Sequence, residues 1–317
     1  MTYLVTGGAG FIGSYLAEAL LKQGESVVII DNFNDYYDPA IKRNNIKRLA
    51  DFSSLEVIEG DIRNAKLINS IYESQNISHV AHLAALAGVR SSIKETPAYI
   101  DVNLIGTMNL LEAARDYDIK QFVLASTSSV YGETQRLPFN EEDLAAFPLA
   151  SYPASKRSAE ILAYTYHHLN KLNVNILRFF NVYGPAGRPD MMPMRLMHAA
   201  LDGSEIPLFN KGDFQRDWTY IDDTVKGVIE ALHRPLGYEI MNLGVGQPIS
   251  LKDFIEIIEE LSGRTINTRN VEAPPSDPPI TFCDNTKAKE LLGFAPSISV
   301  SEGLKRTWDW FIKYNDK

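Results

Sequence analysis

The sequence predicts an α/β fold: a Rossmann-type, doubly wound parallel sheet joined to a smaller C-terminal α/β substrate region. Three observations carry this. Short apolar runs alternate with amphipathic stretches through the first half of the chain, as when strands are joined through crossover helices. A glycine-rich turn, Gly7-Gly-Ala-Gly10-Phe11-Ile12-Gly13, links the first strand to the first helix. Polar clusters follow the ends of successive strands, where an open parallel sheet collects its ligands.

Residues 3–6 read as a short buried strand. Gly7, Gly10 and Gly13 let the backbone approach a pyrophosphate and let a helix pack on a strand, and that helix runs to about Gln23 before Gly24 stops it. The helix N-terminus then offers amides and a favourable dipole to phosphate. Residues 26–30 form a second strand ending in Asp31, an acid able to accept hydrogen bonds from adenosine ribose hydroxyls. No Arg follows Asp31 directly to meet a 2′-phosphate, which favours NAD over NADP.

Residues 32–48 read as a solvated loop entering a charged helix, and 55–60 as a strand ending at Asp61 and Ile62. Residues 79–85, closing on Ala84 and Ala85, form the next strand and run into 87–90. One long helix is expected over 97–117, with Asp101 and Asn103 near its start. A strand over 121–125 delivers the hydroxyl run Ser126-Thr127-Ser128-Ser129, a helix spans 152–172, and a strand over 174–179 leads to Asn181.

Beyond Val182 the pattern changes. A loop over 184–191, a helix over 193–201 and a short strand near 207–209 are expected. A polar segment over 213–223 follows, then a helix to about Leu232 and a strand near 240–243. Ser250 caps a helix over 251–261, residues 274–279 form a rigid proline loop, and two helices close the chain. Residues 1–181 are thus expected to bind dinucleotide and 182–317 the substrate, with about 220–245 returning to the first unit.

The 317 residues suit a large α/β unit plus a smaller one. A net charge of −9 argues against non-specific nucleic-acid or anionic-membrane binding, so an anionic ligand must meet a local cluster of Arg or Lys. The single cysteine, Cys283, excludes an internal disulfide, suits a reducing, cytoplasmic setting and reads as a small buried apolar residue. No run approaches the ~18 apolar residues of a membrane span, and no signal peptide is expected. His79 and His82, and His167 and His168, lack acid or Cys partners at metal-ligand spacing, so no metal site is expected.

The chemistry is expected between Leu124 and Lys156. Tyr152 and Lys156 lie four apart on one helix face, where a cation beside a phenol favours the phenolate. Bringing a tyrosine from pH ~10 to ~7 takes about 4 kcal/mol, the order one ammonium in a dry cleft supplies when a cofactor's positive charge helps. The result is a general base for a hydroxyl.

With these residues assembled, the chain resembles the extended short-chain dehydrogenase/reductases over essentially its full length, and most closely their UDP-glucuronate 4-epimerase branch. The resemblance rests on Asp31-Asn-Phe-Asn-Asp-Tyr-Tyr-Asp-Pro39, Ala87-Gly-Val-Arg-Ser91, Thr127-Ser-Ser-Val-Tyr-Gly132 and Gly184-Pro-Ala-Gly-Arg-Pro-Asp-Met191. It implies NAD that stays bound through turnover, with Gly7, Gly10, Phe11, Ile12, Gly13, Asp31, Asn32, Asp61, Ile62, Ala84, Ala85, Asn103 and Ser126 around it. It implies a catalytic triad of Thr127, Tyr152 and Lys156, the last two also facing the cofactor. A UDP-sugar would be held by Arg90, Thr127, Ser128, Ser129, Asn181, Arg188 and Arg216. C4 would be oxidised to a ketone and reduced from the opposite face, and subunits would pair as a homodimer through the helices at 101–117 and 152–172.

Single positions separate close relatives. Related decarboxylases carry Glu at the position of Ser129, and 4,6-dehydratases an Asp-Glu pair at Ser128 and Ser129. UDP-glucose 4-epimerase is favoured by Asn181, commonly Thr in the glucuronate branch, and opposed by Arg188 and the 32–39 loop. A dinucleotide-binding regulator without chemistry is disfavoured by the intact triad.

Overall fold

The computed structural model describes residues 1–274 and 277–315. The first half runs β1 (Thr2–Thr6), α1 (Phe11–Lys22), β2 (Ser26–Asp31), α2 (Pro39–Lys47), β3 (Leu55–Glu59), α3 (Ala65–Gln75), β4 (His79–His82), α4 (Val89–Ser92) and α5 (Thr96–Ile100). A π-helical turn at Asp101–Ile105 leads into α6 (Gly106–Asp116), then β5 (Gln121–Thr127), α7 (Ser151–Asn170) and β6 (Val174–Phe179). The second half runs β7 (Asn181–Tyr183), α8 (Met192–Asp202), β8 (Ile206–Phe209), β9 (Gln215–Tyr220), α9 (Ile221–His233), β10 (Tyr238–Leu243), β11 (Pro248–Ser250), α10 (Leu251–Ser262), β12 (Thr268–Val271), β13 (Ile280–Thr281), α11 (Thr286–Leu292) and α12 (Val300–Asn315).

The large sheet has seven strands in the order β10-β6-β5-β4-β1-β2-β3, with every pairing parallel. Its inner strands β1, β2 and β5 are almost wholly buried, β1 and β2 as continuous apolar runs, whereas the edge strand β3 is partly exposed. Successive residues of β1 still serve opposite cores: Tyr3 and Val5 join α1 and α9 on one face, and Leu4 joins α3, α6 and α7 on the other. The strand order reverses between β1 and β4, so the cleft of a doubly wound fold opens there.

Four of the remaining strands make a smaller sheet over that edge, in which β9 pairs antiparallel with β11 and parallel with β7 and β13. β8 and β12 form a separate parallel pair. Ser250 caps α10 as expected, its hydroxyl accepting from the Asp253 amide at 3.0 Å.

Several expectations needed correction. The helix over 97–117 is divided by the π-turn, and the strand from His79 stops at His82 because the chain must leave the sheet to line the cleft. α3, capped by the Asn64 side chain, was not anticipated. The expected 274–279 loop includes Pro275 and Ser276, which lie outside the described residues.

His82 is fully buried between Thr6 Oγ1 at 2.7 Å and Thr107 Oγ1 at 2.8 Å. Burial, reinforced by the Lys156 charge, holds its pKa well below the usual histidine value. His79 is pushed down to about 4, chiefly by burial. The unfolded chain therefore takes up protons below about pH 6.5 that the folded chain refuses. Stability is full above that pH and falls on acidification, by about 1.4 kcal/mol per pH unit for each such histidine. Urea unfolding between pH 6 and 5 should show this slope, and His82→Asn should remove about half of it. A flat profile in wild type would contradict the buried neutral pair.

Candidate functional site

The first strand delivers the chain to a turn whose glycine positions leave no room for a side chain. Gly7 has φ +69°, and a Cβ there would lie 2.8 Å from the Ala84 backbone. A Cβ on Gly13 would lie 2.3 Å from the Gly7 carbonyl oxygen. The start of α1 has neither a side-chain cap nor an acid in its first turn, so its amides face the cleft unopposed. Asp31 is aimed by two backbone amides, Ala9 at 3.1 Å and Phe33 at 2.8 Å. Burial raises its carboxyl pKa, against the pull of those amides and of Lys42.

A cavity of about 610 Å³ runs along this edge, and its walls include Gly7, Gly10, Phe11, Ile12, Gly13, Asp31, Asn32, Asp61, Ile62, Ala84, Ala85 and Ser126. The same cavity reaches Thr127, Ser128, Ser129, Tyr152, Lys156, Asn181 and Arg188. Asp61 accepts from Arg63 and from Asn32 Nδ2 at 3.0 Å, and the Arg63 hydrogen bonds hold its carboxyl down at about 2.

Asn103 is the exception. It is fully buried and does not line the cavity. Its Oδ1 accepts from the Leu86 amide at 2.8 Å, and its Nδ2 donates to the Leu86 carbonyl and to Ser155 Oγ, each at 3.0 Å. The π-turn directs this side chain at the cleft's floor rather than into the cleft.

Lys42 was missed by sequence reasoning, where it looked like one charge of a solvated helix. Its side chain is buried in the cavity wall, and Nζ donates to the Asn34 carbonyl and to Asn34 Oδ1, each at 2.8 Å. Burial lowers its pKa, and Asp31 acts in the opposite direction.

Tyr152 and Lys156 share the cavity-facing side of α7. Burial pushes the Lys156 ammonium down to about 8, against the charge of Glu160. Burial also raises the Tyr152 phenol; the Thr127 hydroxyl opposes that first, and the Arg188 charge next. The sequence assigns this task to Lys156 together with a cofactor's positive charge, and the structure adds Arg188, which arrives from a distant loop. Nε and Nη2 of Arg188 donate to Asp190 at 3.0 and 2.6 Å, and its guanidinium lies 5.2 Å from the Tyr36 ring centroid. The 32–38 and 184–191 loops therefore meet across the cleft.

A second cavity of about 310 Å³ adjoins the first, and Ser128, Ser129, Asn181, Asp190 and Met191 line both. Arg90, Arg195 and Arg216 face only the smaller one. Arg90 Nη2 donates to Asp277 Oδ2 at 2.5 Å, and Arg216 Nη2 approaches Asp277 Oδ1 at 3.5 Å. Two guanidiniums thus share one carboxylate, an arrangement able to grip a diphosphate. Among the described residues no His, Cys, Asp or Glu cluster could hold a metal, and no helix is long and apolar enough to cross a membrane.

The profile of the family described as GDP-mannose 4,6 dehydratase matches residues 4–307. The chain belongs to that family. Within it, the chain is 46% identical over 309 residues to a UDP-glucuronate 4-epimerase of Thermodesulfobacterium geofontis, covering 97% of this chain and 95% of the relative. The UDP-glucuronic acid 4-epimerase of Bacillus cereus, solved with UDP-glucuronic acid and NAD, superposes with a TM-score of 0.93 at 38% identity, over 99% of this chain and 100% of its own. A UDP-glucose 4-epimerase of Thermotoga maritima, solved with UDP-glucose, gives 0.91 at 30% identity over 99% and 100%.

Asp277 stands where an anion would otherwise meet both guanidiniums. Asp277→Asn should therefore tighten binding of inorganic pyrophosphate about two- to fivefold, as expected on removing a competing ion pair worth roughly 0.5–1 kcal/mol. Titration calorimetry reads this directly. Unchanged or weaker binding would show that Asp277 does not occupy the anion position.

Proposed function

We propose that the chain is an NAD-dependent UDP-glucuronate 4-epimerase, interconverting UDP-glucuronate and UDP-galacturonate through a transient 4-keto sugar. The observation that carries this is the junction of the two cavities, where Ser128, Ser129 and Asn181 line both and Tyr152 and Arg188 stand on the larger side. A sugar at that junction has a phenol for its hydroxyl and a guanidinium for its carboxylate. Relatives named for this reaction match nearly the whole chain.

The cradle fits NAD. The Gly13 position has no room for a Cβ beside Gly7, and the uncapped α1 amides face the pyrophosphate position. Asp31 and Lys42 line the cavity as candidates to meet the adenosine ribose, and Asp61 and Ile62 as candidates for the adenine. When bound, NAD supplies the redox chemistry, taking up and returning the hydride at the sugar's C4. Tyr152 takes the 4-hydroxyl proton and later returns it, while Thr127 holds the phenol oxygen and Lys156 provides the adjacent positive charge. Arg90 and Arg216 hold the diphosphate.

A 4-keto glucuronate is a β-keto acid and loses carbon dioxide most easily when the carboxylate bond stands perpendicular to the carbonyl plane. Arg188, aimed by Asp190 and stacked on Tyr36, holds the carboxylate out of that geometry. Ser128 and Ser129 supply no carboxyl group for water elimination, despite the dehydratase in the family's description. UDP-glucose 4-epimerase is the second reading, favoured by Asn181. A homodimer is proposed through the π-turn, α6 and α7, which leave Ile105, Ile161, Tyr164 and Leu169 exposed.

Two outcomes test this. Tyr152→Phe should reduce turnover of UDP-glucuronate by at least ~100-fold while the denatured protein still releases NAD rather than NADP. Near-normal turnover would remove Tyr152 from the role of base. Arg188→Ala should lower kcat/KM for UDP-glucuronate by about one to two decades, the scale of a charge-assisted pair worth roughly 1.5–3 kcal/mol. A UDP-pentose by-product should appear in a product-resolved assay. Equal losses on UDP-glucuronate and UDP-glucose would remove Arg188 from selection of the carboxylate, leaving it a role at the base or in the fold, and a wild-type preference for UDP-glucose would promote the second reading.

A further inference from the structure

Beneath the catalytic pair lies a charged cluster that the reaction as derived leaves unused. Glu160 follows Lys156 by one turn and Tyr152 by two, so the three side chains share a face of α7. Its side chain is fully buried. Oε1 accepts from Ser126 Oγ at 2.5 Å and from Arg178 Nε at 3.0 Å. Oε2 accepts from Arg178 Nη2 at 2.8 Å and from Arg157 Nη1 at 3.0 Å. Arg178, itself buried, lies 4.7 Å from the Tyr131 ring centroid, and the Tyr131 hydroxyl donates to Asn242 Oδ1 at 2.7 Å. One carboxylate therefore ties α7 to the end of β5 through Ser126 and to β6 through Arg178.

The cluster is not neutral. Two guanidiniums meet one carboxylate, and the Lys156 ammonium stands one turn above them. A buried ammonium without a counter-charge gives up its proton. Lys156 faces Tyr152 and Glu160 on its own helix and His82 on β4. Tyr152 in turn faces Thr127 at the end of β5, Tyr99 on α5, Tyr36 in the loop after β2, and Arg188. The Glu160 carboxylate faces Arg157 on α7 and Arg178 on β6, and its backbone carbonyl accepts from the Tyr238 hydroxyl on β10. Glu160 is the anion of this set.

We propose that Glu160 is a positioning residue for the Tyr152–Lys156 pair: it locks β5 against α7 beside Thr127, and it is the counter-charge that keeps the Lys156 ammonium in a dry site. This deepens the epimerase reading and rests on it for its meaning in turnover. Removing the carboxylate leaves Lys156 above two unbalanced guanidiniums. The ammonium is then lost at lower pH, and with it the positive charge beside the phenolate.

A purely structural role would show itself differently. Breaking half of a buried ion pair destabilises, whereas removing both charges is often neutral or stabilising. Glu160→Gln is therefore compared with Glu160→Gln/Arg178→Gln, and the double variant carries the test alone if the single one does not fold. The first readout is independent of turnover: the ¹⁵N titration of Lys156 Nζ in lysine-labelled protein, assigned by Lys156→Arg. The midpoint should fall by at least one pH unit in Glu160→Gln and by a smaller, resolvable amount in the double variant, where a like charge leaves together with the anion; only the single variant loses thermal stability. The alkaline limb of kcat for UDP-glucuronate should move down with it, and KM should stay within twofold. A midpoint unchanged from wild type in Glu160→Gln, or in the double variant where the single one does not fold, would overturn the proposal. Absence of wild-type turnover would overturn the epimerase reading instead, and the ¹⁵N titration would still decide the role of Glu160.

Discussion

The parallel ladder that holds β1 between β2 and β4 decides where chemistry can take place. It brings the strand ends to one edge and ties the glycine turn to both neighbours. The Gly7 amide donates to the Ile30 carbonyl at 2.8 Å, and Thr6 Oγ1 accepts from the Ala84 amide at 3.1 Å. The segment that leaves β4, Leu83 and Ala84, then passes so close that no side chain fits at Gly7. The start of α1 is thereby fixed over the gap between the two halves of the sheet, where the strand order turns over and a ligand can lie across the strand ends.

A buried polar thread carries that placement to the catalytic helix. His82 is neutral, so one ring nitrogen donates and the other accepts. Thr107 Oγ1 donates to the Asn103 carbonyl at 2.6 Å, so it accepts from His82 Nε2. Thr6 Oγ1 must then donate to His82 Nδ1. The Asn103 side chain continues the thread through Ser155, whose hydroxyl donates to the Tyr152 carbonyl at 2.7 Å. Every donor in this run has an assigned acceptor, which makes it a clamp between sheet and α7 rather than a proton path. The pairing of Ser126 with Glu160 closes the frame from the other side.

What could be read in the sequence was what local spacing encodes. The β1-turn-α1-β2 unit, the acid at Asp31 and the shared helix face of Tyr152 and Lys156 each depend on residues within about one supersecondary unit. Where meaning depends on distant neighbours, the sequence misled or was silent. Lys42 resembles its solvated neighbours on α2 until the fold buries it beside Asp31. Asn103 lies at the right height along the sheet, but a π-turn that no motif announces directs it into the floor. Glu160 is one more charge on a polar helix until Arg178 arrives from β6. α3 escaped notice because Asn and Ser interrupt its apolar positions, and the Asn64 cap replaces the usual acidic start.

The site also links substrate charge to base strength. The Arg188 guanidinium works against the burial that raises the Tyr152 phenol, so on the proposed reading one side chain would serve both the base and the sugar carboxylate. A substrate carboxylate seated on Arg188 neutralises that help, whereas an uncharged hydroxymethyl group would leave it in place. Charges a few ångströms apart in a partly dry cleft interact by about 4 kcal/mol at an effective dielectric near 20, so this neutralisation is not negligible. Phenolate formation with a uronic acid must therefore rest on the Thr127 hydroxyl, the cofactor's positive charge and the Lys156 ammonium. The tight Asp190 pairing of Arg188 already withdraws part of its field, before any substrate is present. Selectivity for a uronic acid thus demands a robust second cation under the tyrosine, and the position of Lys156, one turn above a buried anion, meets that demand.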